Sequence, residues 1–176
     1  MGNKTDMTRE KIKELVEKEN VHFIRMQFVD INGTMKNVAI PLSQLDKALD
    51  GQMMFDGSSI DGFDRNNEFD IYLKPDYNTF TIMPWRSKEG TKAARLICDV
   101  TLPDGSPYIG CPRGALKRAL KEAEKLGYRM NVGTEAEFFL FKRDEEGRAT
   151  TITHDTAGYF TLDPEDEGTN CRREII

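Results

Sequence analysis

Two glutamates one residue apart, Glu135 and Glu137, are the most chemically pointed feature of this 176-residue sequence. They stand in Gly133-Thr134-Glu135-Ala136-Glu137-Phe138, inside a run from Tyr128 to Phe141 that reads as a β-strand. Residues two apart on a strand share a face, which would put the two carboxylates roughly 6–7 Å apart. Thr134, Ala136, Phe138 and Leu140 then read as core on the opposite face. Paired carboxylates repel one another unless a cation lies between them, and a hard divalent ion such as Mg²⁺ or Mn²⁺ is the usual partner. The plainer alternative is an exposed face on which both glutamates meet water.

The second candidate is Phe55-Asp56-Gly57-Ser58-Ser59-Ile60. A short acid beside two hydroxyls on a glycine-hinged turn can accept a proton or hold a small polar ligand. Its plainer alternative is an Asx-turn, with Asp56 bonded to its own backbone. Tyr159, in Gly158-Tyr159-Phe160, reads on its own as a packing residue. His22 and His154 are isolated, neither with a second histidine at metal spacing, and read as structural or solvent-facing. There is no Gly-x-x-x-x-Gly-Lys-Ser/Thr phosphate loop and no dinucleotide fingerprint. A nucleotide site must be built another way or lie elsewhere, and its residues are unknown.

The elements that must position these groups are legible in outline. Thr8 to Glu19 reads as an amphipathic helix with Ile12, Leu15 and Val16 on one face. Val21 to Phe28 and Thr34 to Ile40 read as strands joined at Asn32-Gly33, where both positions tolerate positive φ. Ser43 with Asp46 three residues on resembles a capping box, opening a short helix that carries Leu45 and Leu49 and stops at Gly51. Gly51 to Asn67 shows little periodicity yet keeps Met53, Met54, Phe55, Ile60 and Phe63, which favours a packed functional loop over a linker. Strand-like runs resume at Ile71–Leu73, Thr79–Met83 and Ala94–Val100.

Leu102-Pro103-Asp104-Gly105-Ser106-Pro107 is turn chemistry, and the domain boundary is placed there, between residues 103 and 104. Pro112 opens a helix with Leu116, Leu120 and Ala123 on one face, closed at Gly127. Asp144-Glu145-Glu146-Gly147 reads as a turn. The last residues, Cys171 to Ile176, read as the start of a further helix, which points to truncation. The fold class expected is α+β: a strand-rich module over 1–103, then the first elements of something larger over 104–176.

Composition narrows the function classes. Hydrophobic residues make up 38% and charged residues 31%, enough apolar content for a core. A net charge of −5 without a Lys/Arg-rich block argues against a nucleic-acid partner, whose binding leans on clustered cations. No apolar run is long enough to span a bilayer, and the first residues lack the apolar stretch of a signal peptide. Three cysteines without a Cys-x-x-Cys pair read as reduced thiols of a cytoplasmic protein.

Taken together, the segments resemble class I glutamine synthetases of the Gram-positive type along essentially the whole chain. The resemblance is carried by Arg25-Met26-Gln27-Phe28-Val29-Asp30-Ile31-Asn32-Gly33, by Met54-Phe55-Asp56-Gly57-Ser58-Ser59-Ile60, and by the Gly-x-Glu-x-Glu-Phe-Phe-Leu-Phe segment. Gly158-Tyr159-Phe160 and Asn170-Cys171-Arg172-Arg173-Glu174-Ile175 follow in the family's order. The resemblance implies a β-grasp N-terminal domain followed by the start of an α/β catalytic barrel. It implies an ATP-dependent glutamate–ammonia ligase acting through γ-glutamyl phosphate, with glutamate, ammonium and ATP as substrates and two or more Mg²⁺ or Mn²⁺ ions per site.

By the same resemblance, Glu135 and Glu137 each ligate a different metal, and Asp56 and Ser59 belong to the ammonium site that one subunit lends to its neighbour. Tyr159 lines that pocket, and Arg65 takes part in glutamine feedback inhibition. A homo-oligomer, a dodecamer for the complete chain, is also implied. Two departures qualify this. Phe69 in Glu68-Phe69-Asp70 replaces a small residue, adding bulk near the Asp56 loop, and the family's chains are more than twice as long. The remaining metal ligands and most of the nucleotide site are therefore absent, and the chain alone is expected to be inactive. The alternative from another class is a naturally short paralogue that binds full-length subunits without catalysing anything.

Overall fold

The computed structural model describes residues 6–63, 70–84 and 92–175. Arg65 and Phe69 lie outside the described residues. The chain divides into two compact units, Met1–Met130 and Asn131–Ile176.

The first unit opens with α1 (Arg9–Lys18), whose N-cap Thr8 accepts a hydrogen bond from the Lys11 N–H on its side chain. That bond satisfies one of the donors a helix start leaves unpaired. Ile12 and Val16, one turn apart, are buried against the sheet core. Five strands follow: β1 (Val21–Val29), β2 (Met35–Pro41), β3 (Met53–Asp56), β4 (Asp70–Ile82) and β5 (Lys92–Thr101). They form one sheet in the order β2-β1-β5-β4-β3. The central β1 and β5 are parallel, while β1–β2, β4–β5 and β3–β4 are antiparallel. The α+β class is the one expected.

Central position explains the composition of β1 and β5. Ile24, Met26, Phe28, Leu96, Cys98 and Val100 are all buried, at the two-residue period of a strand. Burying each such side chain contributes about 1.5–3 kcal/mol relative to exposure. Desolvation pushes the Cys98 thiol up to about 12, so this cysteine behaves as a small apolar residue.

Three expectations are corrected in this unit. The stretch read as a packed loop from Gly51 opens instead with a strand, because Met53–Asp56 pairs with β4 as an edge strand. An edge strand of four residues is too short to show a period. The runs at Ile71–Leu73 and Thr79–Met83 are not separate strands: both fall on β4, which ends at Ile82 and whose register with β5 shifts between Asp76 and Thr81. Pro75 and Asp76 interrupt the apolar alternation there without ending the strand. No capping box forms at Ser43: a 3-10 turn, Leu42–Gln44, leads directly into α2 (Leu45–Leu49), which has no side-chain cap. Helix α3 (Pro112–Lys125) has Pro at its first turn as expected, but none of its residues is buried. It is tied to the sheet by Arg113, which donates to Asp76 at 2.6 Å and Asp99 at 2.8 Å.

The second unit contains a hairpin of β6 (Phe141–Arg143) and β7 (Ala149–Thr153) and a last helix, α4 (Thr169–Ile175). The turn at Asp144–Gly147 is present, with Gly147 at φ +77°. Residues 128–140 are not the strand expected: among the described residues they have no ladder partner. Nor is the opposite face a core, for Thr134 and Ala136 are exposed and Phe138 is half exposed. Strand-forming side chains need a neighbouring strand to pair with, and none is supplied here.

Candidate functional site

Asp56 ends β3 and caps the 3-10 turn Gly57–Ser59. Its Oδ1 accepts the Ser58 N–H at 2.9 Å and the Ser58 hydroxyl at 2.5 Å, and its Oδ2 accepts the Ser59 hydroxyl at 2.9 Å. The Asx-turn is therefore real, and both hydroxyls are gathered on the same carboxylate. Directly across the β3–β4 ladder, Asp56 faces Asp70. Two like charges at opposed strand positions destabilise a sheet unless something positive lies near them. Register alone brings Asp70 to the turn, so nothing in the linear sequence marks it.

The loop is held from both ends. Phe55 stacks on Phe28 of β1 with ring centroids 4.5 Å apart, and Phe63 meets Tyr108 edge-on at 4.9 Å. Gly62 has φ +82°, and a Cβ there would come within 2.2 Å of Ile31 Cγ2. Only glycine fits, on conformation and on space. Ile31 itself sits on the β1–β2 turn, which the buried Asp30 organises by accepting the Asn32 and Thr34 N–H groups at 2.9 Å each. Burial would raise the Asp30 carboxyl, but those two N–H groups and Lys36 outweigh it, leaving the pKa below its ordinary value.

Glu135 and Glu137 are both exposed, and among the described residues neither takes part in an ion pair or side-chain hydrogen bond. Their oxygens are available and hard, which suits Mg²⁺ or Mn²⁺. Glu137 lines a cavity of about 420 Å³ with Phe138, His154, Asp155, Asp166 and Arg172. Tyr159 is 92% exposed and follows Gly158 at the cavity wall. The next residue, Phe160, is held at φ +61°, a conformation costly for a bulky side chain and common where a segment is shaped for a task.

The reading of His154 as an isolated residue is corrected. Its Nε2 lies 2.9 Å from Asp155 Oδ2, and Arg172 pairs with Asp166 and holds that carboxyl below the usual range. His154, Asp155 and Asp166 bring their ligand atoms within 4.8 Å of one another, close enough to hold a metal ion. The donors already present argue otherwise. A guanidinium occupies Asp166, and Asp155 accepts the Ala157 and Glu167 N–H groups at 3.2 and 2.9 Å. These four residues are brought together by turns, which carry no periodic signal in the sequence.

A sheet with a parallel central pair, flanked by hairpins and followed by an acidic segment in a separate unit, is the plan of a β-grasp module leading into a second domain. Residues 20–103 match the glutamine synthetase β-grasp domain, and residues 109–176 match the glutamine synthetase catalytic domain. The chain belongs to the glutamine synthetase family. It is 60% identical over 168 residues to a glutamine synthetase of Clostridium saccharobutylicum, covering 96% of this chain and 38% of that one. It is 55% identical over 174 residues to that of Staphylococcus aureus strain N315, covering 98% and 39%. The chain thus spans less than two-fifths of the length of these curated relatives.

Among solved structures, the cryo-EM structure of Plasmodium falciparum glutamine synthetase matches with a TM-score of 0.67 at 18% identity, over 99% of this chain and 40% of that one. A GmaS structure in complex with ADP matches with a TM-score of 0.56 at 22% identity, over 64% and 25%. At these identities the likeness is one of fold.

Proposed function

We propose that this chain is the N-terminal portion of a glutamate–ammonia ligase, in which Asp56 and Ser59 bind ammonium and Glu135 and Glu137 hold divalent metal ions. The observation that carries the reading is the Asp56 carboxylate, fixed by two serine hydroxyls and faced by Asp70, in a chain of this family. Two neighbouring carboxylates make a small site of negative potential, which draws a compact cation out of solution. With ammonium held there, Asp56 is placed to take its proton and release the nucleophilic amine. The Ser58 and Ser59 hydroxyls keep the acceptor oxygens aimed while that transfer occurs.

Glu135 and Glu137 offer the oxygen ligands that Mg²⁺ or Mn²⁺ prefers, and their exposure leaves them open to the ions. Such ions, when bound, neutralise phosphate charge during phosphoryl transfer from ATP. Tyr159, exposed beside Gly158, is assigned to the ammonium pocket wall, and Arg65 to feedback inhibition by glutamine. ATP is a substrate whose site lies mainly in sequence outside these residues; the ADP complex of the GmaS neighbour is consistent with nucleotide use on this fold. The domain boundary is proposed at 103–104. The complete chain is proposed to be a cytoplasmic homo-oligomer, a dodecamer, in which one subunit's Asp56 loop completes its neighbour's site. No helix among the described residues is long and apolar enough to cross a membrane.

The test is a chimera of this chain followed by the remainder of the Clostridium saccharobutylicum relative. Asp56→Asn in it is expected to cut glutamine formation about 10²–10⁴-fold, the usual worth of a positioned general base. Phosphorylation of glutamate by ATP is expected to continue. Glu137→Gln is expected to leave glutamine formation barely measurable at divalent-ion concentrations that saturate the parent. An Asp56→Asn chimera that makes glutamine at the parental rate would remove the proposed role of Asp56.

A further inference from the structure

The acidic segment is held by little. Among the described residues, the hydrogen bonds that reach positions 129–140 from elsewhere end on one atom, the carbonyl oxygen of Leu140. That oxygen accepts the His154 N–H at 3.2 Å and lies 3.3 Å from the same residue's Nδ1. One residue therefore grips the segment twice, three positions beyond Glu137.

The ring is held in turn. Its Nε2 is shielded from solvent and lies 2.9 Å from Asp155 Oδ2, within ion-pair reach but out of line for a hydrogen bond. Asp155 is fixed by the Ala157 and Glu167 N–H groups, and Asp166 by the Gly168 N–H at 2.9 Å and by Arg172. Gly168 packs beneath the ring so closely that a Cβ there would come within 2.9 Å of Nε2 and 3.2 Å of Arg172 Nη1. The ring, both carboxylates and the guanidinium line the same cavity of about 420 Å³ as Glu137. A planar side chain clamped on one edge and bonded on the other can fix the direction of a backbone that has no strand beside it.

We infer that His154 is a positioning residue for Glu137, tying the end of the acidic segment to the Asp155–Asp166–Arg172 junction so that the Glu137 carboxylate is presented to the cavity. The inference deepens the reading of Glu137 as a metal ligand and rests on it. Ligands are held in productive geometry by the groups behind them, and loosening that support weakens the ion's hold without removing a ligand.

The experiment uses this chain, labelled with ¹⁵N and ¹³C and titrated with MnCl₂, reading paramagnetic broadening at the amides of residues 135–138. His154→Ala is expected to weaken the apparent Mn²⁺ affinity at least threefold and to shift the Leu140 carbonyl resonance, with the sheet resonances of the first unit in place. His154→Asn, which keeps a side-chain donor, is expected to recover part of the affinity. Gly168→Ala leaves the histidine present but displaces its ring, and is expected to weaken binding as His154→Ala does. This variant decides the matter if His154→Ala unfolds the second unit.

Unchanged Mn²⁺ affinity in both His154→Ala and Gly168→Ala would overturn the proposal. Glu137→Gln separates the two readings. Unchanged broadening in that variant removes the metal assignment and this proposal together. Loss of broadening there, with His154→Ala and Gly168→Ala both unaffected, removes this proposal alone.

Discussion

At the scale of single residues, Asp56 does two things that the sequence presents as alternatives. It makes the local Asx-turn with the Ser58 N–H and also collects the Ser58 and Ser59 hydroxyls. The turn chemistry was readable because it needs only neighbours in sequence. Asp70 and the His154 junction were not, since ladder register and turns bring their members together. The cysteines show the same division: their odd number and missing pairing motif read as free thiols, which all three are, but their burial was not readable. Cys98 and Cys111 are buried, while Cys171 is only partly so. Reaction needs an accessible thiolate, and the Cys98 thiol is pushed up to about 12. A thiol reagent near pH 8 is therefore expected to label Cys171 rapidly and Cys98 only on unfolding, as peptide mass mapping would show. Rapid labelling of Cys98 in the folded chain would contradict this burial.

At the scale of elements, periodic segments were legible and short or unpartnered ones were not. Helix α1 and strands β1, β2 and β5 fall where apolar spacing puts them, within one or two residues at each end. Edge strand β3 is too short for alternation to register, and the acidic segment has strand-forming residues but no strand to pair with among the described residues. Helix α3 shows how charge substitutes for burial. Arg113 is three-quarters covered and bonds both Asp76 and Asp99. Removing it with Arg113→Ala is expected to cost about 1–2 kcal/mol, the worth of charge-assisted bonds reduced for partial exposure.

That bond has a pH signature. Burial alone would raise the Asp76 carboxyl, and Arg113, helped by the Asn78 N–H and Lys117, outweighs it, so its folded pKa lies below its ordinary value. The unfolded chain then takes up the proton more readily than the folded one. The stabilisation is present in full above the ordinary carboxylate value of about 4 and is lost as the pH falls through the depressed folded value. Urea unfolding followed from pH 7 to pH 3 is expected to show a shallower acid-side decline in Arg113→Ala than in the parent. Equal slopes would mean that Arg113 is not what depresses Asp76.

At the scale of the whole molecule, the proposed site is assembled from pieces that do not all reside in these residues. The Asp56 turn lies in the first compact unit and the paired glutamates in the second. The curated relatives extend to more than twice this length. An active site needs its surrounding groups held in place, so the chain alone is expected to show no glutamine formation and no γ-glutamyl transfer in preparations free of host enzyme. Detectable turnover abolished by Glu137→Gln in the pure chain would contradict that expectation.

The central claim is that Asp56 of one subunit serves the metal-bearing site of another. It is tested most directly by mixing two inactive chimeras, one carrying Asp56→Asn and one Glu137→Gln, and assaying glutamine synthesis by the co-assembled oligomer. A mixed interface can pair an intact Asp56 with an intact Glu137, so activity is expected to return in the mixture while each variant alone stays inactive. Mixed oligomers verified by mass that remain as inactive as their parents would show Asp56 acting within its own chain, and the shared site would have to be abandoned.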